Sequence, residues 1–163
     1  MFHLLSKILK DLAGPLVLFG ILYWYQQKKN KNNTLDWITL LCRCFLLSSF
    51  GIGNLVVGFI QTFNPSYTAS LLDVPMDAAI VISELGCMHL GIGVIGCIGF
   101  FYKEFVKPTV ITYGLFMIGA VILHLQRLST IQSGELISLI NDIWIIILAV
   151  FIFIFHKRKL CEE

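Results

Sequence analysis

Leu136-Ile-Ser-Leu-Ile-Asn-Asp142-Ile-Trp144-Ile-Ile-Ile-Leu-Ala-Val-Phe-Ile-Phe-Ile-Phe155 is a run of twenty residues with one charge, closed by His156-Lys157-Arg158-Lys159. At 1.5 Å per residue, twenty helical residues cover about 30 Å, the thickness of a bilayer's hydrocarbon core. Only a helix satisfies all of its main-chain polar groups from within one such segment, so the run reads as a membrane-spanning helix. Three further stretches pass the same test. Leu35 to Phe63 is closed by Asn64-Pro65-Ser66, Ala78 to Tyr102 has Asp77 as a candidate N-cap, and Thr109 to Leu128 follows Pro108, a residue at ease in a first helical turn.

The whole chain agrees with that reading. Its 163 residues are 57% hydrophobic and 13% charged, with a mean hydropathy of +0.83. Soluble domains carry about twice that share of charge, so a soluble globular protein is excluded. The net charge of +2 gives no basic field for nucleic acid. The expected fold is an all-α integral membrane bundle, with a four-helix core over 35–156 and a basic tail over 157–163.

Residues 1–34 are harder to read. Leu12 to Tyr25 offers fourteen uncharged residues, and Phe2, Leu4, Leu5, Ile8, Leu9 and Leu12 recur at helical spacing opposite Lys7 and Lys10. The segment reads as an amphipathic stretch leading into a short fifth span, followed by a basic Lys/Asn loop. No small-residue cleavage site follows it, which argues against a removed signal peptide. With five spans, the segments on one side hold Lys28, Lys29, Lys31, Lys103, Lys107, Lys157, Arg158 and Lys159, against Lys7, Lys10 and Arg127 on the other. Eight against three orients the chain, with loop 64–77 outside and the C-terminus in the cytoplasm.

Ten of the 13 glycines fall between positions 51 and 119. Gly86, His89, Gly93 and Gly96 follow a 3-4-3 spacing, one stripe of a helix on which small residues admit a close neighbour. Cys42, Cys44, Cys87 and Cys97 lie in apolar runs without metal or redox spacing and read as buried free thiols. Cys161 is juxtamembrane, a position that can be palmitoylated.

Polar side chains inside spans are costly and should face one another. They are Arg43, Asn54, Glu84, His89, His124 and Asp142. Counted at 1.5 Å per residue, Glu84, His124 and Asp142 fall on three helices roughly 6–10 Å below the outer face. Asn54 and His89 lie nearer the midplane, and Arg43 lies towards the inner side. The Glu84–His124–Asp142 layer can be read as a hydrogen-bonded network fixing register, as a proton or ion relay, or as a metal site of one imidazole and two carboxylates. No His-x-x-x-His or Glu-x-x-His spacing supports the metal, so neither metal nor cofactor is expected. No nucleophile elbow or phosphate loop points to an enzyme.

The stretch Glu84-Leu-Gly-Cys-Met-His89-Leu-Gly-Ile-Gly-Val-Ile-Gly96, followed by Gly119-Ala-Val-Ile-Leu-His124, resembles a family of small uncharacterised bacterial membrane proteins, a domain of unknown function. These are broadly similar to the DoxX-like four-helix proteins. Phe63-Asn-Pro65, Pro75 and Asp142 also fall where that pattern has Phe, Pro and Asp, and the likeness covers about 50–155. The resemblance implies a compact four-helix core plus an optional N-terminal helix and carries no established activity; the expected location is a bacterial inner membrane. The leading expectation is a non-enzymatic accessory or assembly subunit. The alternatives are a small proton-coupled carrier using Glu84, His124 and Asp142, and a membrane subunit of a quinone-linked redox complex. The expected partners are the lipid bilayer, with a membrane protein or a second copy beside it.

Overall fold

The computed structural model describes residues 13–25, 37–72, 74–126, 128 and 133–160. The amphipathic stretch before Leu12, the basic loop, Arg127 and Cys161 lie outside the described residues. Among those described, four helices are long and apolar enough to cross a membrane: Trp37–Phe63, Met76–Phe101, Lys103–Gln126 and Glu135–Phe155. The protein is an all-α helical bundle of the integral membrane kind.

Helix α1, Ala13–Tyr25, is apolar and about 20 Å long, too short by itself to cross. It exposes Leu16, Val17, Ile21, Trp24 and Tyr25, and buries Pro15 completely. The expected fifth span is therefore, within the described residues, a helix of little more than half a membrane.

The first long helix is composite. α2, Trp37–Phe45, passes without a break into a π-helical segment, Leu46–Ile52, and on into α3, Gly53–Phe63. The wider winding is visible in the Gly53 N–H, which donates to the Ser48 carbonyl five residues back. Ser48 Oγ donates to the Cys44 carbonyl at 2.6 Å, occupying a group that the change of winding disturbs. α3 ends at Asn64, whose φ of −139° leaves the helical region, and Pro65 then opens the short α4, Pro65–Leu72. Thr68 and Ala69 of α4 are buried against the bundle.

A 3-10 turn, Met76–Ala78, leads into α5, Ala79–Phe101. Asp77 lies inside that turn, and neither cap position makes a side-chain hydrogen bond, so the expected Asp77 N-cap does not form. A second 3-10 turn, Lys103–Phe105, precedes α6, Val106–Gln126. Pro108 sits in the first turn of α6, where N–H groups have no helical acceptor and a missing one costs nothing. α7, Ser133–Leu160, continues as helix beyond Phe155 into the basic stretch.

α5 lies along the composite helix with main chain close to main chain. An added Cβ at Gly86 would stand 2.6 Å from the Thr62 nitrogen, at Gly93 2.8 Å from the Leu55 nitrogen, and at Gly96 2.7 Å from the Phe50 carbonyl. From the other side, a Cβ at Gly58 would stand 2.7 Å from the Leu90 nitrogen. By contrast, Gly91 and Gly119 have open space where a Cβ would point. α6 pairs with α7, and the apolar core joins the two layers through Phe45, Leu46, Phe50, Ile92, Tyr113 and Ile152. Phe50 meets Tyr113 edge-on with ring centroids 5.2 Å apart.

Candidate intramembrane site

Asn54 sits just past the π segment, 2% exposed, and makes three contacts that define the middle of the bundle. Its Nδ2 donates to the Phe50 carbonyl at 3.0 Å and reaches the Ser49 carbonyl at 3.4 Å. Its Oδ1 lies 2.6 Å from His89 Nδ1. Because the amide nitrogen is turned to main-chain carbonyls, the oxygen faces the ring, and an amide oxygen only accepts. His89 therefore carries a proton on Nδ1 and keeps Nε2 as its basic nitrogen. The imidazole is buried at 7% exposure, with Phe116 edge-on at 5.3 Å and Tyr113 at 6.2 Å. Both residues sit in mid-span, and facing glycines bring α3 and α5 close enough for two short polar side chains to meet.

The network continues across the bundle. The Tyr113 hydroxyl of α6 sits beside the Asn54 amide, and Asp142 of α7 is within electrostatic reach of it. Asp142, itself buried, approaches His124 with Nε2 and Oδ2 3.6 Å apart. Eleven residues separate Tyr113 from His124, which at 100° per residue returns to within about 20° of the same face of α6. That is why one helix serves both groups.

Glu84 does not join them. It is exposed on α5, so the structure brings together two of the three members of the expected layer. The physical reason is azimuth. Glu84 lies two residues before Gly86, about 200° around the helix from the glycine stripe. Equal depth cannot bring a side chain through its own helix. Arg43 is half-buried on α2, with Nε shielded from solvent and without a hydrogen-bond partner. Glu135, in the first turn of α7, is buried at 7% exposure. It stands one residue ahead of the expected start of the last span and was not singled out from the sequence for that reason.

Beside Asn54 the bundle holds a partly open cavity of about 360 Å³. The π segment supplies Ser48 and Ser49, α3 supplies Gly53, Asn54 and Val57, and α6 supplies Tyr113. α7 closes it with Asn141, Trp144 and Ile145, while Gly14 and Pro15 of α1 border it on the remaining side. Reading the sequence for ionisable groups passed over Ser48, Ser49, Tyr113 and Asn141. The signal was there, in a serine pair ahead of Gly51 and Gly53 and in an amide next to Asp142 within the most apolar span. Among the described residues, no three His, Cys, Asp or Glu side chains are grouped to hold a metal ion.

Over residues 16–161 the chain matches DUF6790, described as a family of unknown function. The chain belongs to that family. No curated protein matches it, and no solved structure does. The DUF6790 match reaches from α1 to the end of α7, so it includes every residue of the cavity beyond Gly14 and Pro15. The family description supplies no chemistry. What this DUF6790 protein can do follows from its geometry: hold a small molecule against hydroxyl and amide groups in the middle of a bundle, with a histidine behind the wall and a carboxylate–imidazole pair further along.

Proposed function

We propose that this protein is a non-enzymatic integral membrane carrier whose solute site is the cavity between α1, α3, α6 and α7. The observation that carries this reading is the placement of a cavity of about 360 Å³, with Ser49, Asn54, Tyr113 and Asn141 on its wall, at mid-span. A network serving only to fix helix register would be expected to close on itself, because buried polar groups without partners are costly. Discontinuous or irregular helix winding inside a membrane is tolerated where it lines a cavity, and the π segment does so. The excess of Lys and Arg supports an orientation with the 26–36 loop, the α5–α6 turn and the end of α7 in the cytoplasm. The resemblance to a bacterial family supports an inner membrane.

The test is solute flux. Purified protein in liposomes, challenged with an isosmotic gradient of glycerol or urea in stopped-flow light scattering, should speed swelling above protein-free vesicles. Val57→Trp, which fills the cavity, should abolish the increase. The accessory-subunit reading has one observation of its own, a shallow groove of about 250 Å³ between α6 and α7 lined by aliphatic residues such as Val110, Leu115, Ile118 and Val150. Absence of flux, together with a stoichiometric partner retained through gentle-detergent purification, would favour it over the carrier.

A further inference from the structure

We infer that the cavity takes an uncharged, amphipathic molecule, a compact apolar or aromatic body bearing a hydroxyl or carboxamide, and that it receives this molecule from within the bilayer. This rests on the carrier reading for the site and adds the class of ligand.

The charge argument comes first. Among the described residues, no Asp, Glu, Lys, Arg or His side chain lines the cavity. The acid closest in sequence to its wall, Asp142, approaches His124 at 3.6 Å. His89 stands behind the wall, its Nδ1–H held at Asn54 Oδ1 and its ring against Tyr113. An ion entering at mid-span would give up its water shell without meeting a counter-charge on the wall, the most costly way to place a charge in a membrane. A hydrocarbon body alone fits no better, because it would cover the Ser49 hydroxyl and the Asn141 amide without pairing them.

The hydrogen-bonding inventory narrows the class. Asn54 is spent, with its nitrogen on the Phe50 and Ser49 carbonyls and its oxygen on His89. The Ser48 hydroxyl already donates its hydrogen bond to the Cys44 carbonyl. With the Tyr113 hydroxyl engaged at the Asn54 amide, the capacity facing the ligand is the Ser49 hydroxyl and the Asn141 amide, which both donate and accept. A hydroxyl or carboxamide answers both. Trp144, Val57, Ile145 and Pro15 supply the apolar wall, and Trp144 a flat one. At about 30 Å³ per water, the space is that of roughly a dozen waters, enough for one ring with its substituent and too little for a phospholipid.

The route follows from depth. The π segment and Asn54 lie in the middle of the 27-residue Trp37–Phe63 helix, so Gly14 and Pro15, which border the same cavity, are at mid-span too. The residues after Pro15 on α1 expose Leu16, Val17 and Ile21 and leave that flank facing lipid.

A matched set of probes tests the class. Benzamide, benzylammonium and benzoate share one ring and differ in charge. Binding is read from Trp144 fluorescence in the full chain carrying Trp24→Phe and Trp37→Phe, in nanodiscs of neutral lipid. Benzamide should bind saturably and both ions at least tenfold more weakly. Val57→Phe should remove the saturable component, and Asn141→Leu should weaken benzamide about threefold or more, with size-exclusion profile and helical signal unchanged in both. An ion binding as tightly as benzamide would overturn the neutral class while leaving the cavity as a binding site. No saturable binding by any of the three, in protein that is folded by the same two criteria, would overturn both the class and the site.

Discussion

Replacing Gly96 by Ala tests whether main-chain contact between α5 and the π segment holds the bundle together. The new Cβ would lie 2.7 Å from the Phe50 carbon and oxygen and 2.8 Å from the Gly51 nitrogen, all of them main-chain atoms that cannot rotate away. Ordinary contact begins near 3.4 Å, so the helices must separate by 3.4 − 2.7 = 0.7 Å at that point. If α5 moves as a rigid body, the His89–Asn54 bond two turns away stretches from 2.6 to about 3.3 Å, past the usual range for such bonds. Overpacking of this kind costs about 1–3 kcal/mol, and a weakened buried hydrogen bond adds roughly 0.5–1. Alanine's better helix propensity returns at most about 1 kcal/mol. The net loss is about 0.5–3 kcal/mol, a drop of roughly 1–12 °C in Tm at about 2–4 °C per kcal/mol for a chain of this length. Gly91→Ala is the control, since nothing lies within 4 Å of its Cβ position and only the propensity gain remains. Thermal unfolding in detergent, followed by intrinsic fluorescence, should give shifts of opposite sign. Equal melting of the two variants would refute the close-contact seam.

Asn54→Leu removes the acceptor of the His89 Nδ1–H and the donor to Phe50, and should lower stability by about 1–3 kcal/mol; the double variant with His89→Leu should lose less than the two singles added, a coupling that a double-mutant cycle in detergent would measure. Asp142→Ala removes the buried partner of the half-buried His124 and should melt several degrees lower, whereas Glu84→Gln, on an exposed surface of α5, should melt like the parent; equal losses would mean that Glu84 belongs to the network after all. A single cysteine at Ser66, exposed on α4, should react in intact cells with a maleimide that cannot cross the membrane, whereas one at Tyr102 should react only after permeabilisation. The reverse pattern would invert the orientation drawn from the lysine and arginine bias.

Much of the fold could be read from hydropathy and punctuation because membrane helices are set by length and by their stops. The expected spans at 35–63, 78–102, 109–128 and 136–155 correspond to helices at Trp37–Phe63, Met76–Phe101, Lys103–Gln126 and Ser133–Leu160. The differences have physical sources. α7 runs past Phe155 to Leu160, because a charge run ends an apolar span without breaking a helix. The layer of Glu84, His124 and Asp142 was assembled from depth alone. Depth is one coordinate of a helical residue and azimuth the other, and the 3-4-3 glycine stripe already placed Glu84 on the far side of α5. The Asn54–His89 bond was less accessible. Both residues could be assigned to mid-span, but their meeting depends on which helices are neighbours, and periodicity within a helix does not contain that information. The π segment was invisible for a related reason. Seven residues of wider winding leave an apolar, helix-compatible sequence apolar and helix-compatible, and only Ser48-Ser49 and the two glycines hint at it.

Asn54 links features that are separable in principle, and this governs how substitutions around the cavity should be interpreted. Its nitrogen ties two carbonyls of the π segment, its oxygen holds His89 of α5, and its edge forms part of the cavity wall. A variant at Asn54 therefore changes the winding of the first long helix, the α3–α5 seam and the shape of the cavity together. Loss of transport or binding on its removal would say nothing by itself about contact with a ligand. Asn141 and Ser49 are different. They line the cavity from helices whose packing depends on other residues, Leu139, Ile145 and Leu148 on α7 and Leu46 and Phe50 in the π segment. A loss of affinity at Asn141 or Ser49 with unchanged melting is evidence about the ligand, whereas the same loss at Asn54 accompanied by lower melting is evidence about the scaffold. The position most conspicuous in the sequence, a polar residue buried in an apolar span, is thus the one whose deletion is least informative about function. The informative positions are the modest hydroxyl and amide that a search for ionisable groups passes over.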